Sequence, residues 1–218
     1  MYRSTRPGPS APLVALDLDG TLGDYHRHFE RFAQMWTGRE IVWDPDVVGP
    51  FYKQLGMSKA VYRQCKLAYR MGGMKRSIPM FDGASEMVRA IRSAGVGVAA
   101  CTTRPYLAMS TIDLDTQHWL RRNGIKVDHI LYGEHKYRDL VKSVGRNRVV
   151  CALDDDLSQL GVADRLGVPS IMRLNEANKG YVPGADQMVV STLKAARETI
   201  LELIELHKNG TGIYANHA

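Results

Sequence analysis

Short apolar runs that end abruptly in acidic or hydroxyl side chains restrict the fold of this sequence more than any other feature. Leu13–Leu16 runs into Asp17-Leu18-Asp19-Gly20-Thr21, residues 96–101 into Thr102-Thr103, and residues 148–153 into Asp154-Asp155-Asp156. His129–Tyr132 and residues 168–172 are two further strand-sized pieces. Each run is too short for a core helix, and none alternates apolar with polar, so each reads as a strand buried on both faces. Helical spacing lies between them. Residues 84–94 place Met87, Val88 and Ile91 on one side with Gly95 as a stop. Residues 116–123 read as a helix closed by Gly124, with Asp115 as its N-cap. Residues 137–144 and 157–166 follow, and residues 192–207 carry Leu193, Ile200, Leu203 and Ile204 on one side. Strands and helices in alternation imply an α/β fold, a Rossmann-like parallel sheet core covered on both faces.

Residues 24–78 break this rhythm. They contain no clear buried strand and read as a small inserted helical cap, which leaves 1–23 and 79–218 as the core. The insert also holds the charge. The chain's formal net charge is +6, and residues 25–78 contain ten basic and four acidic side chains, so the insert alone accounts for that value. Between residues 47 and 81 there are seven Lys or Arg and no acid. Segregation on this scale suits an anionic partner. Within the insert, residues 58–71 read as a helix capped by Ser58. Lys59, Arg63, Lys66 and Arg70 fall on one face, Val61, Cys65 and Ala68 opposite, and Tyr62 and Tyr69 on the border. Two readings stand: Arg63, Lys66 and Arg70 contact a phosphate beside a stacked base, or the face is a solvated one with snorkelling cations. Phe29, Phe32, Trp36 and Trp43 are expected to form the core of the insert.

A composition of 44% hydrophobic and 24% charged residues excludes wholesale disorder. No apolar run approaches the roughly 18 residues of a membrane span, and the N-terminal apolar stretch ends too soon for a signal peptide. Cys65, Cys101 and Cys151 are odd in number and widely spaced, which suits a reducing cytoplasm better than a disulfide framework.

In an open parallel sheet, ligands bind outside the carboxyl ends of the strands. Asp17, Asp19, Thr102, Thr103 and the Asp154–Asp156 run all fall there. Carboxylates gathered at one sheet edge repel one another unless a cation lies between them, and an all-oxygen donor set favours Mg2+. Asp156 is expected to cap the following helix. His26 and His28 are nearby, but the carboxylates account for a metal without them.

These residues carry a resemblance. Asp17-Leu18-Asp19-Gly20-Thr21, Thr102, Lys136 in Gly-Glu-His-Lys-Tyr-Arg-Asp, and Leu153-Asp154-Asp155 resemble, in order, the four signatures of the haloacid dehalogenase superfamily of phosphotransferases. The resemblance covers residues 13–172. It implies Asp17 as the nucleophile that forms an aspartyl-phosphate, and Asp19 as the acid and base that protonates the leaving oxygen and then deprotonates water. It implies Thr102 and Lys136 as phosphate ligands, and Mg2+ held by Asp17, the Asp19 carbonyl, and Asp155 or Asp154. Lys142 is a second candidate for the lysine, but it falls later in its helix.

The insertion after the first signature, the return at 78–84 and Cys-Thr-Thr are similar to the 5′(3′)-deoxyribonucleotidase branch. Thr103-Arg104-Pro105, residues 116–125 and Lys136-Tyr-Arg-Asp resemble the phosphatase half of phage polynucleotide kinases, although no Gly-x-x-x-x-Gly-Lys-Ser/Thr segment is present. The expected activity is therefore hydrolysis of a nucleoside monophosphate. Removal of a 3′-phosphate from a nucleic acid end is the alternative, and an idle nucleotide-binding protein is a third reading. Arg104, next to Thr102, is a candidate substrate contact.

Overall fold

In the computed structural model, residues 10–106 and 109–210 are described. The ends of the expected core, 1–9 and 211–218, lie outside the described residues. Six parallel strands form one sheet in the order β3-β2-β1-β4-β5-β6. They are β1 (Leu13–Leu16), β2 (Gly97–Thr102), β3 (His129–Tyr132), β4 (Val149–Asp154), β5 (Ser170–Arg173) and β6 (Met188–Val190).

The continuous apolar runs are explained by the two faces. In β1, Val14 and Leu16 join a cluster with α4 (Ala84–Ser93), α8 (Leu193–Lys208) and Trp119 and Leu120 of α5 (Ile112–Arg122). Leu13 and Ala15 point into a second cluster with Tyr137 and Leu140 of α6 (Lys136–Val144) and Ala163 of α7 (Leu157–Arg165). Every residue of β1, β2 and β4 is buried, as expected where helices cover both sides of a parallel sheet. Strand order reverses direction between β1 and β4, the position where an open α/β sheet leaves a crevice. The Asp17 N–H donates to the Leu153 carbonyl at 2.9 Å, so the two strand ends open side by side.

Three core elements differ from the sequence reading by more than one residue. The fifth strand starts at Ser170 rather than residue 168, because Pro169 has no N–H for a ladder. Helix α5 begins at Ile112, and Asp115 is inside it rather than at its cap; it is fully buried and accepts from Arg76 Nε at 2.5 Å. Strand β6, three residues at the sheet edge, has no counterpart in the sequence reading.

Between β1 and α4 the chain forms α1 (Tyr25–Thr37), the single turn α2 (Phe51–Gln54), α3 (Lys59–Met71) and a 3-10 turn at Met74–Ser77. Asp24 caps α1 and Ser58 caps α3, each accepting a backbone N–H at 3.3 Å. Phe29 and Trp43 are buried and Phe32 packs on the same cluster, whereas Trp36 is 43% exposed and does not serve the interior. Val61 is exposed and Ala68 only half-buried; Cys65 and Tyr69 form the inward face of α3. This helix is therefore rotated toward its tyrosines relative to the sequence expectation. Tyr69 is drawn inward by ring contacts with Phe29 at 5.2 Å and Tyr25 at 5.9 Å. One hydrophobic cluster runs without interruption from Leu16 and Leu18 through Phe29 and Tyr69 to Trp119.

Candidate active site

The carboxyl ends of β1 and β4 place Asp17 and Asp154 next to each other, and the first residue of α6 places Lys136 between them. The Lys136 ammonium lies 2.6 Å from Asp17 Oδ1 and 2.6 Å from Asp154 Oδ2. Lys136 and Asp154 are each 1% exposed. Burial opposes the lysine's charge, but Asp17 and Asp154 outweigh it and push its pKa up. Lys142, by contrast, is exposed on the far turn of the same helix.

Asp154 is held on every side. Tyr137 Oη donates to its Oδ2 at 2.6 Å and the Asp156 N–H to its Oδ1 at 3.0 Å. Asp155 accepts from the Thr21 hydroxyl at 3.0 Å and from Asn175 Nδ2 at 2.8 Å. Asp156 caps α7 through the Ser158 N–H. Gly20 sits against Asp155 with φ +103°, and a Cβ there would fall 2.2 Å from Asp155 Oδ2. Only glycine allows both the turn and the approach.

Asp17, Asp154 and Asp155 offer oxygens that all lie within 4.8 Å of one another. The electrostatics show what such a cluster lacks. Burial pushes Asp17 well up, against the pull of Lys136, and the charges of Asp154 and Asp155 add to the rise. Asp155 is pushed up to about 7 by burial and by Asp154. Three carboxylates with one ammonium between them leave excess negative charge, and a hard divalent cation with oxygen preference fits that donor set. The sign follows from linkage: a carboxylate raised in the folded state binds its proton more tightly there than in the unfolded chain. The contribution of Asp155 to the stability of the metal-free protein therefore falls as pH rises from about 4 through 7. Mg2+ is accordingly expected to raise Tm more at pH 8 than at pH 5.5, where protons compete for the same oxygens. Equal shifts at both pH values, read by thermal melts, would count against this site.

Asp19 is set differently. Arg104 grips it with two bonds, Nε to Oδ2 at 3.0 Å and Nη2 to Oδ1 at 2.6 Å, and Lys75 Nζ pairs with Oδ2. Burial alone would raise Asp19, but these two cations hold it well below the usual carboxylate range. Arg104 also donates to Thr116 Oγ1 at 3.0 Å.

A cavity of about 270 Å³ opens over these residues and is also lined by Tyr25, His26, Phe51, Tyr62, Lys66 and Arg70. His26 has its pKa lowered to about 4 by burial, so it presents a neutral ring, stacked on Trp43 at 5.4 Å. His28 bonds to Tyr69 Oη at 2.7 Å and, like His26, stands outside the carboxylate cluster. Thr103, Arg104 and Lys136 line the cavity. Thr102 ends β2, buried, and its hydroxyl accepts the Arg104 N–H at 3.3 Å; it is behind the cavity wall rather than on it. Arg63 is exposed and is not among the residues that line the cavity. The basic stripe divides along α3: Lys59 and Arg63 face solvent, while Lys66 and Arg70 face the cavity.

Two residues that sequence reasoning did not single out belong to this site. Lys75 stood in the acid-free stretch, but nothing local marks it as the partner of Asp19. Asn175 bridges Asp155 and the Gly20 carbonyl, the latter at 2.9 Å. Groups that orient metal-binding carboxylates typically contribute 10- to 100-fold in metal affinity. Asn175→Ala is therefore expected to raise the Mg2+ concentration for half-maximal activity about 10- to 100-fold; an unchanged Mg2+ titration would remove it from the site.

No protein-family model matches the sequence, and no curated protein matches it either. Solved structures do. A predicted phosphatase from Clostridium acetobutylicum superposes with TM-score 0.62 at 18% identity, covering 88% of this chain and 99% of its own. A haloacid dehalogenase-like family protein from Streptococcus pneumoniae gives 0.59 at 15%, covering 87% and 99%. The chain has the fold of the haloacid dehalogenase-like hydrolases. CbbY from Rhodobacter sphaeroides, in complex with xylulose 1,5-bisphosphate, gives 0.53 at 17% identity, covering 84% of this chain and 95% of its own. Among the described residues no helix is long and apolar enough to cross a membrane.

Proposed function

We propose that the chain is a Mg2+-dependent phosphomonoesterase that acts on nucleoside monophosphates through an aspartyl-phosphate on Asp17. The observation that carries this reading is the Lys136 ammonium bridging Asp17 and Asp154 at the β1/β4 switch point, with Asp155 in the same cluster. Among the described residues no hydrogen bond reaches Asp17 Oδ2, so that oxygen is available to attack. Asp17, Asp155 and Asp154 would hold Mg2+, together with the Asp19 carbonyl. The ion would offset the charge between an anionic ester and an anionic nucleophile.

Asp17 attacks phosphorus, the ester oxygen leaves, and Asp19 protonates it. Water then attacks the acyl phosphate, Asp19 takes its proton, and the Asp17 carboxylate is regenerated as phosphate departs. Lys136 stabilises charge on Asp17 and on the transferring group throughout. Arg104 and Lys75 hold Asp19 ionised before substrate arrives. A phosphate dianion competes for both cations, and as they turn to it Asp19 recovers a carboxyl group's ordinary affinity for a proton. Thr102, by the same resemblance, donates to a phosphoryl oxygen once its loop engages substrate.

Residues 24–78 act in this reading as the cap, and the rings of Tyr25, His26, Phe51 and Tyr62, which meet one another edge-on or tilted, supply aromatic surface suited to a nucleoside. The known xylulose bisphosphate complex of a neighbour makes sugar phosphates the pertinent competitors. Three buried free thiols suit a cytoplasmic setting. With Mg2+ present, nucleoside monophosphates are expected to exceed sugar phosphates in kcat/KM by tenfold or more. A preference for sugar phosphates would overturn the substrate assignment, and no hydrolysis of any phosphomonoester would favour an idle nucleotide-binding protein.

A further inference from the structure

We propose that Lys66 and Arg70 form a second anion position in the cavity, and that the preferred substrate is a nucleotide bearing a second phosphoryl group besides the one transferred. The inference rests on Asp17 as the reacting centre and deepens that reading.

Five cations line the cavity. Three of them pair with carboxylates within it: Lys136 with Asp17 and Asp154, and Arg104 and Lys75 both with Asp19. Lys66 and Arg70 are the other two, and among the described residues neither has a carboxylate partner. Arg70 Nε is buried with no hydrogen-bond acceptor. An unanswered guanidinium N–H out of water is costly, and arginine cannot relieve the cost by losing its proton. The two residues are four apart on α3, so their charges are neighbours on one face and repel. Burial, and then the charge of Arg70, lower the Lys66 pKa, while Asp19 draws it the other way. No acid lies within residues 47–81 to relieve the pair locally.

The outer half of the same stripe differs: Lys59 and Arg63 are exposed and hydrated. Only the half that faces the cavity is crowded and unpaired. An anion that inserts between Lys66 and Arg70 removes the repulsion and takes charge-assisted bonds from both head groups. Aromatic rings line the same cavity as this position and Asp17. The Lys66 ammonium lies 5.4 Å from the centroid of Tyr62, which faces Phe51 edge-on at 6.3 Å. A nucleoside with one phosphate at Asp17 and another at Lys66 and Arg70 suits a cavity that carries both charged positions and aromatic rings. The second group is a monoester in a nucleoside 3′,5′-bisphosphate or a diester next to the 3′-phosphate of an oligonucleotide. The transferred phosphoryl group is hydrolysed as before, and the second one leaves unchanged with the product.

The test measures kcat/KM with Mg2+ for a deoxynucleoside 5′-monophosphate, its 3′,5′-bisphosphate, and a short oligonucleotide with a 3′-phosphate. Wild type and the double variant K66Q/R70Q are compared, with circular dichroism and Tm verifying the fold. In wild type, the bisphosphate or the oligonucleotide is expected to exceed the monophosphate by about 10- to 100-fold. In the double variant that ratio is expected to fall close to one. A steep loss of oligonucleotide turnover from 50 to 200 mM salt assigns the second group to a polymer, and a shallow slope with bisphosphate preferred assigns it to a mononucleotide. Equal kcat/KM for all three in wild type, or a ratio that survives the double substitution, overturns the second anion position while leaving the nucleotidase reading intact. Turnover of sugar phosphates without turnover of any nucleotide overturns both.

Discussion

Asp17→Asn is expected to lower kcat by on the order of 10^4-fold or more at saturating Mg2+, while the melting temperature stays within a few degrees of wild type. The amide has the shape of the carboxylate but not its nucleophilicity, and removing the nucleophile from a unit of cooperating groups has that scale of effect. The fold survives because the substitution takes a charge out of a cluster that already holds too many. Burial and two neighbouring carboxylates push Asp17 up, and Lys136 retains Asp154 at 2.6 Å. Steady-state kinetics and a thermal melt on one preparation separate the two effects. Residual turnover within tenfold of wild type would contradict the role of Asp17.

Lys136→Met is expected to damage both activity and stability. It removes the one ammonium between two buried carboxylates, and breaking a buried pair by deleting one partner typically costs 3–5 kcal/mol. For a chain of this length that corresponds to a fall of about 10 °C in Tm. The effect has a further signature. Without the lysine, Asp17, Asp154 and Asp155 have no cation among them, so Mg2+ is expected to restore more Tm to the variant than it adds to wild type. Activity is expected to stay low even with the ion, because the variant has no ammonium beside Asp17 Oδ1 to stabilise the transferring group. An unchanged Tm, read by calorimetry at pH 7, would show that the triad of charges is not coupled as described.

The legible parts of this molecule are those whose physics is local. Strands β1, β2 and β4 show as continuous apolar runs because helices bury both of their faces, and Asp17 and Asp154 are conspicuous because each ends such a run. Lys136 could be chosen over Lys142 because only the first residue of α6 is near the strand ends. Residues whose partners are distant were not legible. Asn175 reaches Gly20 across 155 positions, and Lys75 reaches Asp19 across 56. Neither contact leaves a pattern in its own neighbourhood. Asp115 looked like a cap because acids favour helix starts; its burial depends on Arg76, which lies on a turn 39 positions away. The periodicity of α3 told which residues share a face, but not which face turns inward. That was settled by Tyr69, which packs into the rings of Phe29 and Tyr25. The second anion position follows from the same lesson, because its evidence is a missing partner rather than a motif.

Trapping the covalent intermediate tests the central claim most directly. Wild-type protein is mixed with a nucleotide carrying a radiolabelled phosphoryl group and Mg2+, quenched in acid within the first turnover, digested and mapped. Label on the peptide that contains Asp17, released by hydroxylamine as an acyl phosphate is, is the predicted result. A burst of product with no label on the protein, or label on a different residue, would contradict the account.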